Sequence, residues 1–385
     1  MRSELTSRKD QAIGVLHLDT EKTWRGGERQ VELLLDGLSD SSITNHIAGV
    51  KGSAFLKRLS GRVPSLELNF SGWEIFQSIF RLHRYIKKHG IRIIDAHTAR
   101  AHSVALALGA LNQDVKIVVH RRVDYLPGSG LPSRLKYKSS RISRYVAISD
   151  AIAQVLVDYG VDSRAVSIVR SGVPSKVFAE IDRDDARRKL CQELNWRQDL
   201  PIIANVGYLT PQKGHATLVR ALGFMKAHGA EFQAFIAGDG ELREPLEALA
   251  KSLELENLIF LGVRQDVPSL LRASDIMSMP SNYEGLGTTI LDGFLAGLPV
   301  AASRVGGIPE IINNGRNGLL SEVGDFEHHG ENLLKLVKDV ELRHQMALEG
   351  RNHVERLFSV DAMVSGNYQV YQDLCSPTSR ASAHF

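Results

Sequence analysis

Short apolar runs alternate with helix-period segments along almost the whole chain, and this alternation restricts the fold more than any other feature. Apolar runs at 12–18, 43–50, 91–96, 115–119, 145–148 and 166–169 read as buried strands, with amphipathic helices at 28–38 and 73–88 between them. Ser149 stands where it would cap the helix after the fifth run. The pattern breaks at Ser171-Gly172-Val173-Pro174 and then starts afresh. Strands read at 202–206, 232–237, 258–261, 276–279 and 299–302, with helices at 217–226, 242–253, 267–273 and from 286 onward. Beyond 325 only helical segments follow. Strands that take turns with helices form parallel sheets, because a parallel neighbour is reached only through a crossover. The reading is therefore two consecutive α/β units, each a doubly wound parallel sheet. A length of 385 residues suits two domains and exceeds one.

Composition narrows the class. Hydrophobic residues make up 43% of the chain, enough for ordinary cores. Cys191 and Cys375 have no partner at metal or redox spacing, which suggests a reducing compartment. The first ten residues are polar and show no signal-peptide core, and no apolar run has the length of a membrane span. A cytoplasmic protein, soluble or peripheral at the inner face of the plasma membrane, is expected. The formal net charge of +3 conceals an asymmetry. Residues 1–175 carry 26 Lys+Arg against 16 Asp+Glu, hence +10, and the remainder 21 against 28, hence −7. The excess gathers at 81–88 and 134–141, segments that could meet an anionic membrane surface or an acidic glycan. No nucleic-acid reader motif accompanies it, so nucleic acid is not expected as a partner.

The stretch from Pro280 to Val300 carries the densest chemistry. It reads as a loop, a helix and a buried strand, with Glu284 just before the helix and Asp292 two turns inside it. Gly285 and Gly287 let backbone approach a ligand, and the free N–H groups at the helix start, through Leu286 and Thr288, suit an anion. Phosphate at the helix end and hydroxyls at the carboxylates would describe a nucleotide-sugar pocket. The plain alternative is a first-turn Glu and an exposed helix Asp.

Ser-Asn-Tyr-Glu-Gly-Leu-Gly followed by Asp292 resembles the E-x7-E signature of glycosyltransferase family 4, the retaining "glycosyl transferases group 1" of the GT-B fold. The resemblance implies that Glu284 contacts donor-sugar hydroxyls and that Asp292, shorter than the family's second Glu, takes the nucleotide ribose. Gly207-Tyr208-Leu209-Thr210-Pro211-Gln212-Lys213-Gly214 resembles the family's G-R-x4-K-G segment, with Lys213 as the diphosphate-neutralising lysine and Tyr208 in place of the arginine. A phenol supplies a hydrogen bond but no charge at neutral pH. Arg121 and Arg122, after the 115–119 strand, are candidates for the missing cation, and Arg25 for phosphate or acceptor contact. Gly26 and Gly27 match the loop that faces the donor diphosphate, His97 the residue that lines the reaction site, and Arg264 the loop beside the base.

The resemblance runs from about residue 12 to 374. It implies a GT-B fold: two Rossmann-like domains facing across a cleft, 1–175 on the acceptor side and 176–357 binding the donor. The helix at about 358–375 would cross back to the first domain, and closure about Gly172 would exclude water. The expected function is retaining transfer of a sugar from a nucleotide-diphosphate sugar to a hydroxyl of a glycan or lipid-linked acceptor, as in lipopolysaccharide or other cell-surface glycan synthesis. Glu284 and His97 are the catalytic candidates. No cofactor and no essential metal are implied, and no Asp-x-Asp motif argues otherwise. Two other readings remain open here: a degenerate GT-B protein that binds nucleotide sugar without turnover, and a nucleotide-sugar epimerase of the same fold.

Overall fold

The computed structural model describes residues 12–123 and 126–376. The N-terminal decapeptide read for a leader lies outside these residues, as does the polar C-terminal tail beyond Ser376. The chain divides into two compact units. Among the described residues, one holds 12–122, 126–172 and 360–376; the other holds 123 and 173–359.

Seven strands form the sheet of the first unit: β1 Ile13–Leu18, β2 Ile43–Val50, β3 Ser65–Leu68, β4 Ile91–Ala96, β5 Lys116–Arg121, β6 Ile142–Ala147 and β7 Val166–Ile168. All pairs are parallel, and the order is β3-β2-β1-β4-β5-β6-β7. The strand order reverses between β1 and β4, so the loops leaving these two strands open a crevice at their carboxyl ends. One face of the sheet presents Val15, Ile93, Val118 and Val146 to helix Gly26–Gly37 and to the C-terminal helix Val360–Cys375. Each aliphatic side chain fully buried in this layer contributes roughly 1.5–3 kcal/mol. Gly37 permits the close crossing of the two helices: a Cβ there would fall 2.3 Å from Val364 Cγ2. The C-terminal helix Val360–Cys375 is thus part of the first unit.

The opposite face carries helices Glu74–His89, Ala99–Leu111 and Leu131–Tyr137. Tyr85 bonds His46 of β2 at 2.9 Å, Gly109 lies against Ile117 of β5, and Tyr137 stacks on Tyr145 of β6. Ser149 caps its helix by accepting from the Ile152 N–H at 3.1 Å, as its position suggests.

The second unit repeats the plan with six parallel strands: β8 Ile202–Val206, β9 Gln233–Ala237, β10 Leu258–Gly262, β11 Ile276–Met279, β12 Val300–Ser303 and β13 Gly318–Ser321. Their order is β10-β9-β8-β11-β12-β13, and the reversal falls between β8 and β11. The core is aliphatic, built on residues such as Ile203, Leu222, Ile236 and Leu333. His329 is fully buried between the hydroxyls of Ser278 and Ser321, at 2.8 and 3.0 Å.

Both sheets are doubly wound, as the alternation predicts. Two strands escaped the sequence reading, β3 and β13. Each is a four-residue edge strand, too short and too polar to register as an apolar run. Helix Ala99–Leu111 escaped as well, since alanine and leucine surround it on all sides and leave no polar stripe. The helix read from Leu286 begins at Thr288, because Gly287 is its cap at φ 88°.

Candidate functional site

At the reversal of the second sheet, the loop after β8 meets the loop after β11. Lys213 ends a single 3-10 turn, Pro211–Lys213, and Gly214 follows at φ 64°. A Cβ on Gly214 would lie 1.9 Å from the Pro280 carbonyl oxygen, so the two loops touch through a position only glycine can occupy. Asn282 fastens the contact from its backbone N–H to Gln212 O at 2.8 Å and from Nδ2 to Pro211 O at 2.7 Å. The result is an ion pair: Lys213 Nζ donates to Glu284 Oε2 at 2.6 Å, with both side chains largely buried. Ser281 Oγ donates to the same oxygen at 3.4 Å. An ammonium with three donors commits one to Glu284 and has others to offer a polyanion.

Helix Thr288–Leu295 leaves this loop. Leu286 is buried, Gly285 and Gly287 bracket it, and Gly307 N–H donates to the Glu284 carbonyl at 3.2 Å. Asp292 is 8% exposed, so the plain alternative of a solvated helix Asp does not hold. Tyr208 is half exposed just beyond β8. Arg264 is committed elsewhere: it forks onto Asp266 and onto Glu193 of helix Arg183–Leu194. Those carboxylates hold its guanidinium above its ordinary range. Asp266 caps helix Val267–Ala273 by position, while its side chain serves Arg264.

The first unit gathers a second set of polar groups at its own reversal. His97 follows β4, and its N–H donates to Leu18 O of β1 at 3.0 Å. His17, Asp95, His97 and His120 are all buried. His97 Nε2 is 3.1 Å from His17 Nδ1, and His17 Nε2 is 3.1 Å from Asn45 Oδ1. With Asn45 accepting, His17 carries its proton on Nε2, accepts from His97 through Nδ1, and leaves His97 Nδ1 as an acceptor facing Arg122 at 3.4 Å. Asp95 accepts from His120 Nε2 at 3.1 Å and from the Tyr371 phenol at 2.5 Å. Burial, joined by the charge of Arg122, holds the His97 and His120 imidazoles below the usual histidine range. Although burial opposes it, the histidines around Asp95 hold its carboxyl well below the usual carboxylate range.

His17, Asp95 and His97 present donor atoms 3.1–3.5 Å apart, close enough to share a cation. The guanidinium beside His97, and the donors already on Asp95, fit a hydrogen-bonded network instead. Strand alternation separates the two arginine candidates. Arg121 turns toward the helix layer and donates to Tyr137 Oη at 2.7 Å, whereas Arg122 turns to His97. Gly27 packs against Arg122, a Cβ there standing 3.6 Å from its Cδ, so the Gly26-Gly27 helix start and Arg122 belong together. Arg25 is the cap of that helix, its N–H donating to Glu28 Oε2 at 2.7 Å.

Three participants went unread in the sequence: Asp19, Asn45 and the Tyr371 phenol. Burial pushes the Asp19 carboxyl up to about 7, against a hydrogen bond from the Glu21 N–H. Its place directly after β1, at the reversal, was the available signal. Nothing local marks Asn45 or Tyr371 as polar-network residues.

The comparisons with known proteins agree with this architecture. The "Glycosyltransferase Family 4" model matches residues 24–176 and the "Glycosyl transferases group 1" model residues 186–353. An N-acetyl-alpha-D-glucosaminyl L-malate synthase of Bacillus anthracis is 25% identical over 75% of this chain and 76% of its own. A UDP-Gal:alpha-D-GlcNAc-diphosphoundecaprenol alpha-1,3-galactosyltransferase of Escherichia coli is 26% identical over 81% and 83%. The crystal structure of Anabaena HepE in complex with UDP and glucose superposes with a TM-score of 0.79 at 21% identity, covering 94% of this chain and 99% of that one. Two parallel sheets reversed at their centres, and family matches that follow one another through both units, place the chain among the group 1, family 4-type glycosyltransferases of the GT-B fold.

Proposed function

We propose that the protein transfers a sugar from a nucleoside-diphosphate sugar, with retention of configuration, to a hydroxyl of a glycan or lipid-linked acceptor in cell-surface glycan synthesis. The Lys213–Glu284 pair at the β8/β11 reversal carries this reading. In it, Lys213 and the N–H groups at the start of helix Thr288–Leu295 neutralise the diphosphate as negative charge develops on the leaving oxygen. Glu284 accepts from donor-sugar hydroxyls and fixes the sugar's orientation, and Asp292 accepts from the ribose. The leaving phosphate oxygen takes the acceptor proton from the face it vacates, which gives retention without a dedicated base. His97 and Arg122 serve as hydrogen-bonding and cationic groups of the first unit.

The names of the relatives support a nucleotide-sugar donor and, in the galactosyltransferase, an isoprenoid-diphosphate-linked acceptor. The direct test is a panel of UDP-, GDP- and ADP-sugars incubated with lipid-linked and core oligosaccharide acceptors, with the product anomer read by NMR. A product of inverted configuration would overturn the mechanism. Nucleotide binding with neither transfer nor donor hydrolysis would favour the degenerate reading that Tyr208 suggests.

A further inference from the structure

Helix Glu74–His89 divides cleanly around its axis. Ile75, Ser78, Leu82 and Ile86 turn inward, while Trp73, Phe76 and Phe80 stand 78%, 61% and 59% exposed. Their spacing of three and four residues puts all three rings on one stripe. Trp73 and Phe76 pack together with ring centroids 5.0 Å apart, and Arg84 lies over the Phe80 ring at 5.9 Å. The stripe continues past Phe80 as exposed Arg84, Lys87 and Lys88. The only acidic residue of the helix is Glu74, in its first turn and off this stripe.

A second exposed apolar pair lies nearby. Leu131 and Leu135, on helix Leu131–Tyr137, are 68% and 66% exposed and share a face at i, i+4. Helix Ala99–Leu111 ties the two regions together at its N-terminal end. Arg100 Nη1 donates to Phe70 O, in the loop before Trp73, at 3.4 Å, and Lys136 Nζ donates to Ala99 O at 2.5 Å. From 74 to 150 the chain holds 14 Lys+Arg against 5 Asp+Glu; Asp95 is buried in the histidine network and Arg121 is buried beside Tyr137, so neither contributes to the surface. Three solvent-facing aromatics on one stripe make a contiguous apolar patch of the kind that marks an interaction surface. Rings set in a cationic field match the headgroup layer of an anionic bilayer, where aromatics sit at the interface and ammonium and guanidinium groups meet phosphates. A second copy of this chain on the same stripe would bring a second set of Arg84, Lys87 and Lys88 into one interface with no acid on the stripe to offset it.

We propose that the exposed stripe of helix Glu74–His89, joined by Leu131 and Leu135, is a docking surface for an anionic lipid bilayer. The proposal gives the location of the acceptor in the function above and rests on that reading only for the acceptor. Helix Glu74–His89 and helix Leu131–Tyr137 both start from the carboxyl ends of their strands, the edge at which His97 and Arg122 also stand. A bilayer seated there would present a lipid-linked acceptor to that edge.

The test needs no catalysis. The full chain is sedimented with phosphatidylcholine vesicles and with vesicles containing phosphatidylglycerol, at low and high salt. Binding to the anionic vesicles alone, weakened by salt, is expected. The triple variant Trp73→Ser, Phe76→Ser, Phe80→Ser, and separately Arg84→Glu with Lys87→Glu, should each weaken it by about tenfold or more. All five residues are exposed, so thermal unfolding of both variants should match the parent. In a Trp24→Phe, Trp196→Phe background Trp73 is the remaining tryptophan of three, and its emission should shift to the blue on anionic vesicles only. Absence of binding at low salt, or binding that survives the triple variant, overturns the proposal. Self-association lost in the triple variant would assign the stripe to a second copy and overturn it as well. Nucleotide binding measured in parallel separates this failure from failure of the transferase reading.

Discussion

The Tyr371 phenol donates to Asp95 Oδ2 at 2.5 Å across 276 residues of sequence, joining the C-terminal helix to the strand end that carries His97. Both groups are fully buried. The bond gives the C-terminal helix a polar anchor inside an otherwise apolar interface with Val15, Ile93 and Val118. Tyr371→Phe removes the donor and leaves the ring, so about 1.5–3 kcal/mol of stability should disappear, the range for a hydrogen bond to a buried charge. Urea unfolding of wild type and variant measures it; a midpoint unchanged at constant slope would show that the bond contributes nothing net.

Gly214 is held at φ 64° with the Pro280 carbonyl where a side chain would begin. Gly214→Ala must therefore separate the loops that bring Lys213 to Glu284. A stability loss above about 2 kcal/mol is expected, together with loss of nucleoside-diphosphate binding. Calorimetric titration with UDP and GDP reads the second effect, and retained affinity would contradict the loop argument.

Lys213 and Glu284 are in contact, yet the proposed function gives them separable roles. Lys213→Ala should weaken nucleoside-diphosphate binding by at least about tenfold, as loss of a charge-assisted contact implies. Glu284→Ala should lower turnover by about a hundredfold or more while leaving that affinity within a few-fold. The reverse pattern would exchange the assignments.

Adjacent arginines on opposite faces of one strand end should behave differently. Arg121 bonds Tyr137, so Arg121→Ala should cost stability, about 1–3 kcal/mol, with KM for the donor unchanged. Arg122 bonds His97, so Arg122→Ala should alter kcat/KM by more than its effect on unfolding accounts for. Paired melting and kinetic measurements decide; equal effects of the two substitutions would remove Arg122 from the site.

Acid should destabilise the fold well before carboxylates titrate. His102 is lowered by burial to about 3, and His215 and His329 to about 4, with His97 and His120 also lowered. Below about 6.5 the unfolded chain binds protons that these native imidazoles refuse, so stability present above that pH falls steadily toward 4. His329 alone, fully buried and lowered from 6.5 to about 4, removes on the order of 3 kcal/mol by the end of that window. Asp19 acts in the opposite sense, since a carboxyl raised to about 7 contributes stability below 3.8 that is lost as pH rises through 7. Five histidines outweigh one aspartate, and urea midpoints should drop between about pH 7 and pH 5. A flat or rising profile would mean that the imidazoles are charged in the native state.

The second-unit candidates were named before any coordinates. Glu284, Gly287 and Asp292 lie in one short segment whose loop and helix character is local, and Lys213 was named through its resemblance to the family's Lys-Gly segment. The first-unit network was legible only in part. His97 stood out at a strand end, but its neighbours His17, Asn45, His120 and Tyr371 come from separate elements that nothing in their local sequence connects. Arg121 and Arg122 looked equivalent, because alternation sends adjacent residues to opposite faces but does not tell which neighbours each face will have.

Apolar periodicity and turn chemistry specified most of the strands, several helices and the presence of two α/β units, since both act over a few residues and need no distant partner; β3, β13 and helix Ala99–Leu111 lacked that local signal. The order of the strands in each sheet was not specified in this way. Crossovers can place a strand on either side of its predecessor, and the choice between them is made by which faces bury best against one another. That choice put the reversal between β8 and β11, where Lys213 meets Glu284, and between β1 and β4, where Asp95 meets the histidines and the C-terminal helix.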